Sequence, residues 1–342
     1  MGRLILISSA LVAISMVLPT HSDRGATQQS VAAESHLDVP AGFSGAVLVA
    51  QGNRVILSRG YGDERGRAVP ANERFWIASV GKQFVAASVM KLVKSNRLAL
   101  DDTLDRFFPN VPSDKAQITI RQLLSHTSGL GQSYVSERQR DRATAVRAML
   151  AEPTEIAAGS KFRYSNSNTQ LLVAVVEVVS GTTYPNYVRR ELWAPVRLRD
   201  TGFAGTSGAE KVIPVRGKLP PMLQRAYWGG QGVYSSASDL LQWYRALPTE
   251  KILGKVHAAA MFAPVVTIGE GTAGLGWFTG KTARGSEYHF VRGNEDVGAN
   301  ALLYSYPAQS IVIIVLTHEG NADENTSWSR KVLHSLENQL ML

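Results

Sequence analysis

Runs of β-like sequence lie at both ends of the 342-residue chain, and a long helical stretch separates them. Residues 43–50 and 54–61 are apolar and β-rich, and the turn residues Gln51-Gly52-Asn53 between them predict a β-hairpin. From about residue 272 onward, β-like runs return at 275–279, 287–292, 301–306 and 311–317. Strands so far apart in sequence can share one sheet only if the fold brings the two ends of the chain together.

The stretch between these runs has the periodicity of α-helices. Residues 79–96 repeat apolar side chains at helical spacing. Further helices are predicted in this stretch at 118–124, 143–150, 169–179, 187–193 and 237–247, and a final helix at 325–340 follows the last β-like run. The simplest closed arrangement is an α+β fold, in which the N-terminal and C-terminal strands form one antiparallel sheet flanked by helices, with a mostly helical lobe inserted. We expect a sheet lobe at about 41–78 and 265–342, a helical lobe at about 79–264, and a cleft where they meet.

The N-terminus has the pattern of a leader. Arg3 precedes an apolar stretch at 4–18, and a small-residue site follows at Val31-Ala32-Ala33. This order is typical of a secretory signal peptide, and the stretch is shorter than the ~20 apolar residues of a spanning helix. We therefore expect a signal peptide at 1–33, an exported domain at 34–342 that is periplasmic or secreted, and no stable membrane insertion after cleavage. An uncleaved membrane anchor is the alternative.

Composition excludes several classes of site. The chain has no cysteine, which excludes disulfides, thiolate catalysis and cysteine-held metals. The formal net charge is +8, but the densest basic run, 137–147, mixes Glu137 and Asp141 among its arginines. Such a run is typical of a solvated helix face, so no nucleic-acid partner is expected. The seven histidines have no zinc-binding spacing, and we predict no metal and no cofactor.

A serine and a lysine stand one helical turn apart at the start of the first predicted helix. In Ser79-Val80-Gly81-Lys82 the hydroxyl and the amine share a helix face. A serine hydroxyl needs a neighbouring base, and a lysine can serve only when it is uncharged, which the positive end of the helix dipole favours. A second Ser-x-x-Lys, Ser88 to Lys91, falls in mid-helix about half a turn out of phase. We interpret Ser88 as core packing.

Tyr164-Ser165-Asn166 is a second candidate motif. Residues i and i+2 of an extended segment point to the same side, and a phenol can relay a proton while an amide both donates and accepts. The segment follows a Gly159-Ser160 turn and precedes a predicted helix. A similar triplet, Tyr184-Pro185-Asn186, is interpreted as a helix start because proline suits the first helical turn.

Three short motifs follow one another in a fixed order. They are Phe75-Trp76-Ile77-Ala78-Ser79-Val80-Gly81-Lys82, then Leu123-Leu124-Ser125-His126-Thr127-Ser128-Gly129-Leu130, then Phe162-Arg163-Tyr164-Ser165-Asn166. Together they resemble the β-lactamase-related serine hydrolases, a family that includes class C β-lactamases, D-alanyl-D-alanine carboxypeptidases and related esterases. Segments 100–109 and 229–236 are also similar, and the resemblance extends over roughly 43–317. We interpret His126 as ordering its loop.

The resemblance implies a role for each motif residue. Ser79 attacks a carbonyl group and becomes acylated, Lys82 and Tyr164 share the proton transfers, and Asn166 orients Lys82 and the substrate amide. It also implies that an edge strand lines the other side of the cleft, carrying a third motif of Lys or His, any residue, then Gly.

The third motif departs from the family pattern. Its best match is Val291-Arg292-Gly293 followed by Asn294, so that a valine replaces the basic residue. Arg292 or His289 could supply the charge, although neither occupies the expected position. Lys281-Thr282-Ala283 lacks the glycine and falls in a predicted turn, so we interpret it as a decoy.

Two residues of this segment are expected at the backbone of the site. Gly293 allows close approach of substrate, and the backbone amides of Ser79 and Asn294 would form the oxyanion hole. We expect Arg292 and Gly293 to bind substrate. Loss of the basic residue weakens the case for carboxylate recognition, and with it that for β-lactams and D-Ala-D-Ala peptides, relative to an ester or amide.

The sequence therefore predicts a serine acyl hydrolase that forms a covalent acyl-enzyme. Its substrate is an amide or ester: a β-lactam, a D-Ala peptide such as one derived from peptidoglycan, or a small ester. The alternative is a catalytically weak protein of the same fold that binds or senses cell-wall peptides or β-lactams.

Overall fold

The computed structural model describes residues 37–62, 68–139, 141–215, 232–294, 298–319 and 327–342. The predicted leader with its Val31-Ala32-Ala33 site, and 229–231 of the glycine-rich segment, lie outside these residues. Within the described ranges, every helix is too short or too polar to cross a bilayer.

Most of the strands belong to one large antiparallel sheet. In chain order the strands are β1 (Gly45–Gln51), β2 (Arg54–Tyr61), β3 (Phe75–Trp76), β4 (Gly202–Phe203), β5 (Val233–Ser235), β6 (Val266–Ile268), β7 (Gly271–Ala273), β8 (Phe278–Lys281), β9 (Glu287–Asn294), β10 (Asn300–Tyr306) and β11 (Ile311–Thr317). The large sheet has the order β2-β1-β11-β10-β9-β8-β7-β6. Strand β1 thus lies between β2 and β11, which confirms the predicted sheet of N-terminal and C-terminal strands.

The central strands β1, β10 and β11 are buried along almost their whole length because both faces of the sheet are covered. Along β1, Ala46 and Leu48 join a core on one face, while Val47 and Val49 join a core on the other. This is the period-2 alternation of a strand, and each fully buried aliphatic side chain contributes about 1.5–3 kcal/mol.

Helices cover both faces. They are α1 (Lys82–Lys94), α2 (Ile120–Leu124), α3 (Arg142–Ala151), α4 (Asn166–Ser180), α5 (Tyr184–Val188), α6 (Ala237–Ala246), α7 (Gly254–Phe262) and α8 (Trp328–Gln339). Helix α8 packs on β10 and β11 through Val332, Leu333 and Leu336, and α1 packs within the core on the opposite face. The described residues therefore form the α+β architecture expected from the sequence.

Two local features differ from the sequence predictions. The apolar run at 275–279 is not one strand, because Gly276 has a left-handed backbone (φ 79°) in close contact with Ala86, and β7 and β8 flank the bend. Helix α7 was not predicted, since its apolar residues lack helical spacing and Val256 is exposed. At the start of α6 the Ser236 hydroxyl caps the helix by accepting from the Asp239 amide, and the Asp239 carboxylate accepts from the Thr201 hydroxyl.

Strands β3, β5 and β4 form a small second sheet that was also not predicted. It holds the segment that leads into α1, because β3 pairs with β5 and the Ile77 amide donates to the Val233 carbonyl at 3.0 Å. The position of the turn before α1 is thereby fixed by backbone hydrogen bonds.

Helix α1 is enclosed by other elements. Ten of its thirteen residues are buried. The ring of Phe84 packs against Trp193 and Trp243, with ring centroids 5.4 and 4.9 Å apart. The side-chain oxygen Oε1 of the buried Gln83 accepts a hydrogen bond of 3.0 Å from Trp243 Nε1. This bond connects α6 to α1. Trp193 is equally buried, but its Nε1 has no partner among the described residues.

Comparing these two tryptophans measures how much the hydrogen bond between Trp243 and Gln83 contributes to stability. We expect Trp243→Phe to lower the free energy of unfolding by about 1–3 kcal/mol more than Trp193→Phe, because only the first leaves Gln83 without its partner. Urea unfolding of the two variants makes the comparison, and Trp193→Phe serves as the control for loss of ring area. Equal losses in the two variants would show that the hydrogen bond adds no net stability.

Candidate active site

Ser79 lies in a 3₁₀ turn, Ala78–Gly81, that continues directly into α1. Side chains at i and i+3 of a 3₁₀ turn lie one above the other, so Lys82 is brought over Ser79. Lys82 Nζ donates to Ser79 Oγ at 2.8 Å, and the lysine is only 8% exposed. Ala78 has a φ of 46°, which is uncommon for a residue with a side chain. Such strain is typical of a segment held in place for function.

Tyr164 completes a three-residue contact. Its hydroxyl donates to Ser79 Oγ at 3.0 Å, and Lys82 Nζ lies 5.3 Å from the centre of its ring. The serine oxygen therefore receives hydrogen bonds from two candidate proton carriers. The motifs around 79 and 164, which are far apart in sequence, meet at one atom.

Asn166 is the first residue of α4, whereas the sequence placed it in the segment before that helix. Ser165 gives no side-chain cap; instead Gln132 Oε1 accepts from the Asn166 amide at 2.8 Å. The Asn166 side chain is buried at the cavity wall, and its Oδ1 has no hydrogen-bond partner in the described part of the chain. That oxygen is itself buried, so a bound amide would reach it only if the side chain moves.

The end of β9 lies directly against the serine turn. A Cβ added to Gly293 would lie 2.4 Å from the Ile77 carbonyl oxygen and 2.7 Å from the Ser79 amide nitrogen, so only glycine fits there. Strand β9 pairs with β8 only as far as Phe290, and residues 291–294 pair with β10 alone among the described strands. This segment is thus a local edge, although β9 as a whole is an inner strand.

The residues of the third motif divide between the core and the cavity. Val291 is 3% exposed and belongs to the core around α1. Arg292 and Asn294 line the cavity, and the guanidinium of Arg292 lies 5.9 Å from the ring centre of Phe290. His289 stacks on Phe262 at 4.6 Å. The position that is basic in the family pattern is therefore an apolar core position here.

A cavity of about 570 Å³ opens at Ser79, within the size range of small-molecule sites. Tyr164, Asn166, Arg292 and Asn294 line it together with the serine. Sequence reasoning missed other residues of its wall, namely Gln132, Tyr134, Phe162, Ile268, Glu270, Thr272, Phe278, Thr279, Tyr288 and Phe290. It also set aside Lys281, which lies on the wall at the end of β8 and pairs with Glu287 at 3.4 Å.

His126 supports Tyr164 from beneath. The two rings stack with centroids 4.6 Å apart, and His126 Nδ1 lies 3.2 Å from the Ser165 amide and 3.1 Å from Asn168 Nδ2. The side-chain oxygen Oδ1 of Asn168 accepts from the Ser128 hydroxyl, so the side-chain nitrogen Nδ2 of Asn168 donates to His126. Because Nδ1 receives two donors, the proton of the neutral ring lies on Nε2. The prediction that His126 orders its loop agrees with these contacts.

The pKa of His126 is lowered from 6.5 to about 3, chiefly by burial and secondarily by the charge of Lys82. The ring beneath Tyr164 is therefore neutral at physiological pH, and it is a support for the phenol rather than a proton donor.

Comparison with known proteins identifies the family. The Beta-lactamase family model matches residues 35–335, so the chain belongs to the beta-lactamase family, whose members are generally serine hydrolases. The family that the sequence motifs resembled is thereby confirmed.

Individual relatives are distant. The chain is 27% identical over 324 residues to Protein flp of Staphylococcus aureus (strain N315), covering 86% of this chain and 62% of that protein. A penicillin binding protein from Bacillus halodurans has a similar fold, with a TM-score of 0.70, 24% identity, and coverage of 86% of this chain and 96% of that one. A D-stereospecific amidohydrolase from Streptomyces sp. gives a TM-score of 0.71 and 24% identity, covering 86% and 94% of the two chains.

The low pKa of His126 predicts a pH-dependent stability. Below about pH 6.5 the unfolded chain takes up a proton that the folded chain does not bind until about pH 3. The free energy of unfolding should therefore fall as pH falls through this window, by up to about 1.4 kcal/mol per pH unit. Urea unfolding at pH 4, 5, 6 and 7 should show a shallower slope for His126→Gln. His257→Gln, in helix α7, is the control, and an unchanged slope in His126→Gln would contradict the assignment.

Proposed function

We propose that the chain hydrolyses an amide or ester through a covalent acyl-enzyme on Ser79. The observation that carries the proposal is that Ser79 Oγ accepts hydrogen bonds from both Lys82 Nζ and the Tyr164 hydroxyl at the wall of a cavity. A nucleophile in contact with groups that can take its proton is the arrangement that nucleophilic catalysis requires.

In the acylation step, Ser79 Oγ attacks the carbonyl carbon and forms a C–O bond. The lone pair of Lys82, as the uncharged amine, takes the serine proton, and Lys82 and Tyr164 share the transfers that carry it to the leaving group. The backbone amides of Ser79 and Asn294 donate to the oxyanion that develops on the carbonyl oxygen. When the tetrahedral intermediate collapses, the bond to the leaving group breaks and the leaving group takes up the proton.

Deacylation repeats these transfers with water. The same two groups accept a proton from the water molecule as its oxygen attacks the acyl carbon. The bond to Ser79 then breaks, and Oγ recovers its proton as the acid product leaves. Each step conserves charge and protons without any group beyond the chain, the substrate and water.

The remaining site residues act on the substrate in this proposal. Asn166 binds the substrate amide. The hydrogen bond from Lys82 to Asn166 Oδ1 that the family resemblance implies is not formed in this structure, because that oxygen has no partner among the described residues. Arg292, which lines the cavity, is proposed to bind substrate along the edge of β9. Gly293 is buried against the serine turn, and its missing side chain makes room for the Ile77 carbonyl oxygen and the Ser79 amide rather than for substrate. The buried Val291 favours a small ester or amide over a β-lactam or a D-Ala peptide, because it replaces a cation that would pair with a carboxylate.

A second candidate function follows from the same valine. The departure of the third motif from the family pattern motivates this alternative: a catalytically weak protein of this fold that binds or senses cell-wall peptides or β-lactams. Rates with nitrocefin, a D-Ala-D-Ala peptide and a short acyl ester distinguish the two. Measurable binding of a cell-wall peptide without turnover of any of the three would favour the binding protein.

The nucleophile can be identified by covalent labelling, and the chain offers a matched control. We expect a fluorophosphonate probe to label the parent protein and Ser88→Ala, but to lose essentially all labelling in Ser79→Ala. Ser88 also begins a Ser-x-x-Lys, but it is buried in α1, where its hydroxyl donates to the Phe84 carbonyl at 2.8 Å. Mass spectrometry of the labelled peptide reads the site. Equal labelling of Ser79→Ala and the parent would rule out Ser79.

We also propose that the protein acts outside the cytoplasm, in the periplasm or after secretion. The charged, apolar and small-residue pattern of residues 1–33 supports this. N-terminal sequencing of the mature protein from fractionated cells should find a chain that starts near residue 34. A full-length chain in the cytoplasmic fraction would contradict it.

A further inference from the structure

Three phenylalanine rings form one part of the cavity wall beyond Ser79. Phe162 belongs to the segment that leads to Tyr164, while Phe278 lies in β8 and Phe290 in β9. Each ring is half-buried and borders the cavity, although each comes from a different part of the chain. Apolar rings partly open to a cavity are a favourable place for an apolar group to leave water.

The rings are held rigidly by one another. Phe278 and Phe290 are directly opposite in the pairing of β8 with β9, and Phe290 is directly opposite Tyr304 in the pairing of β9 with β10. The ring centroids are 5.4 Å and 5.0 Å apart, so the three form an aromatic row across three strands. Tyr304 is buried, and its hydroxyl accepts from Arg330 at 2.9 Å, which anchors one end of the row.

The other end of the row reaches the proposed catalytic side of the cavity. Phe278 meets Phe162 edge-to-face at 6.0 Å, and Phe162 in turn contacts His126 at 5.9 Å, the ring on which Tyr164 stacks. The aromatic surface is therefore continuous from the sheet to the support of the proposed proton carrier. A group bound there is within one cavity with Ser79.

Some of the polar side chains beside this aromatic surface already form hydrogen bonds with one another. The hydroxyls of Thr272 and Thr279 lie 2.6 Å apart and share a hydrogen bond. Arg292 lies at the border of the row, with its guanidinium 5.9 Å from the Phe290 ring. The cavity wall also carries charged side chains, among them Glu270 and Lys281. The three rings, with the Arg292 guanidinium at their border, present a surface on which a planar aromatic group can pack.

We propose that Phe162, Phe278 and Phe290 form a subsite for an aromatic group of the substrate, so that esters or amides carrying a phenyl ring are preferred to those with short aliphatic groups. The proposal rests on the proposed function, since it places the subsite beside the acylated serine. The phenyl ring of the substrate belongs either to its acyl group or to its leaving group, and the experiment below distinguishes these two cases.

The test compares three esters: methyl acetate, methyl phenylacetate and benzyl acetate. For the parent protein, we expect kcat/KM for at least one of the phenyl esters to exceed that for methyl acetate by about tenfold or more. A preference for methyl phenylacetate assigns the subsite to the acyl group, and a preference for benzyl acetate assigns it to the leaving group. The absence of any preference would overturn the proposal.

Variants locate the preference. In Phe278→Ala the ratio of kcat/KM between the preferred phenyl ester and methyl acetate should fall by about tenfold. Phe162→Leu should lower the same ratio. Phe162 lies outside β8, and leucine is closer in volume to phenylalanine than alanine is, so this variant tests the subsite even if Phe278→Ala misfolds. Phe107→Ala is the matched control, because Phe107 is also half-buried but lies outside the cavity beside Phe108. If the ratio is unchanged in both subsite variants, or falls equally in the control, the proposal is wrong.

A binding measurement tests the aromatic subsite independently of the proposed hydrolysis. In the Ser79→Ala background, calorimetry with phenylacetamide and acetamide reports the subsite without turnover. Tighter binding of phenylacetamide, weakened at least about tenfold by Phe278→Ala, supports the subsite even if no ester is hydrolysed. Equal binding of the two amides would overturn the subsite even if Ser79 is the nucleophile.

Discussion

The burial of helix α1 is the constraint on which the site depends. The helix lies between the sheet and the other helices, with ten of its thirteen residues buried, and Lys82 at its start is held away from bulk water. A buried amine needs a polar partner, and Ser79 Oγ at 2.8 Å is one. The packing that stabilises the helix therefore also holds the lysine against the serine. Further along the helix, Gln83 Oε1 and the Ser88 hydroxyl are buried and hydrogen-bonded to Trp243 Nε1 and the Phe84 carbonyl oxygen, which adds to the fixed position of the helix.

A second constraint joins the two parts of the fold at this point. The turn that carries Ser79 is held on one side by the small sheet of β3, β5 and β4, and on the other by the end of β9 at Gly293. Neither contact involves a side chain of the proposed chemistry. The proposed nucleophile is thus positioned by backbone on both sides, which restricts its movement more than side-chain packing alone would.

Much of the fold and the principal motifs could be predicted from the sequence, because the signals are local. The hairpin of β1 and β2, the helix that starts near Ser79 and the separation of β-like ends from a helical middle follow from periodicity and turn residues. Position in the helix was enough to separate Ser79 from Ser88. Local signals failed where tertiary contacts decide: Leu275 and Trp277 look like part of a strand, but they are core residues on either side of a bend at Gly276. The row of Phe278, Phe290 and Tyr304 depends on strand register, which the sequence does not state.

Strand β1 forms near the start of the described chain, yet its partner on one side, β11, comes from near the other end. A ribosome making this protein would release the first strand long before the second, so the middle of the sheet stays open until synthesis is almost complete. Contacts between distant parts of a chain form only after the intervening residues are made, at a cost in loop-closure entropy. Until the sheet is complete, the nascent chain remains largely unfolded. Such a delay would suit the export proposed above, because threading through a narrow translocation channel requires an unfolded polymer. The topology of the sheet keeps the chain in that state for most of its synthesis.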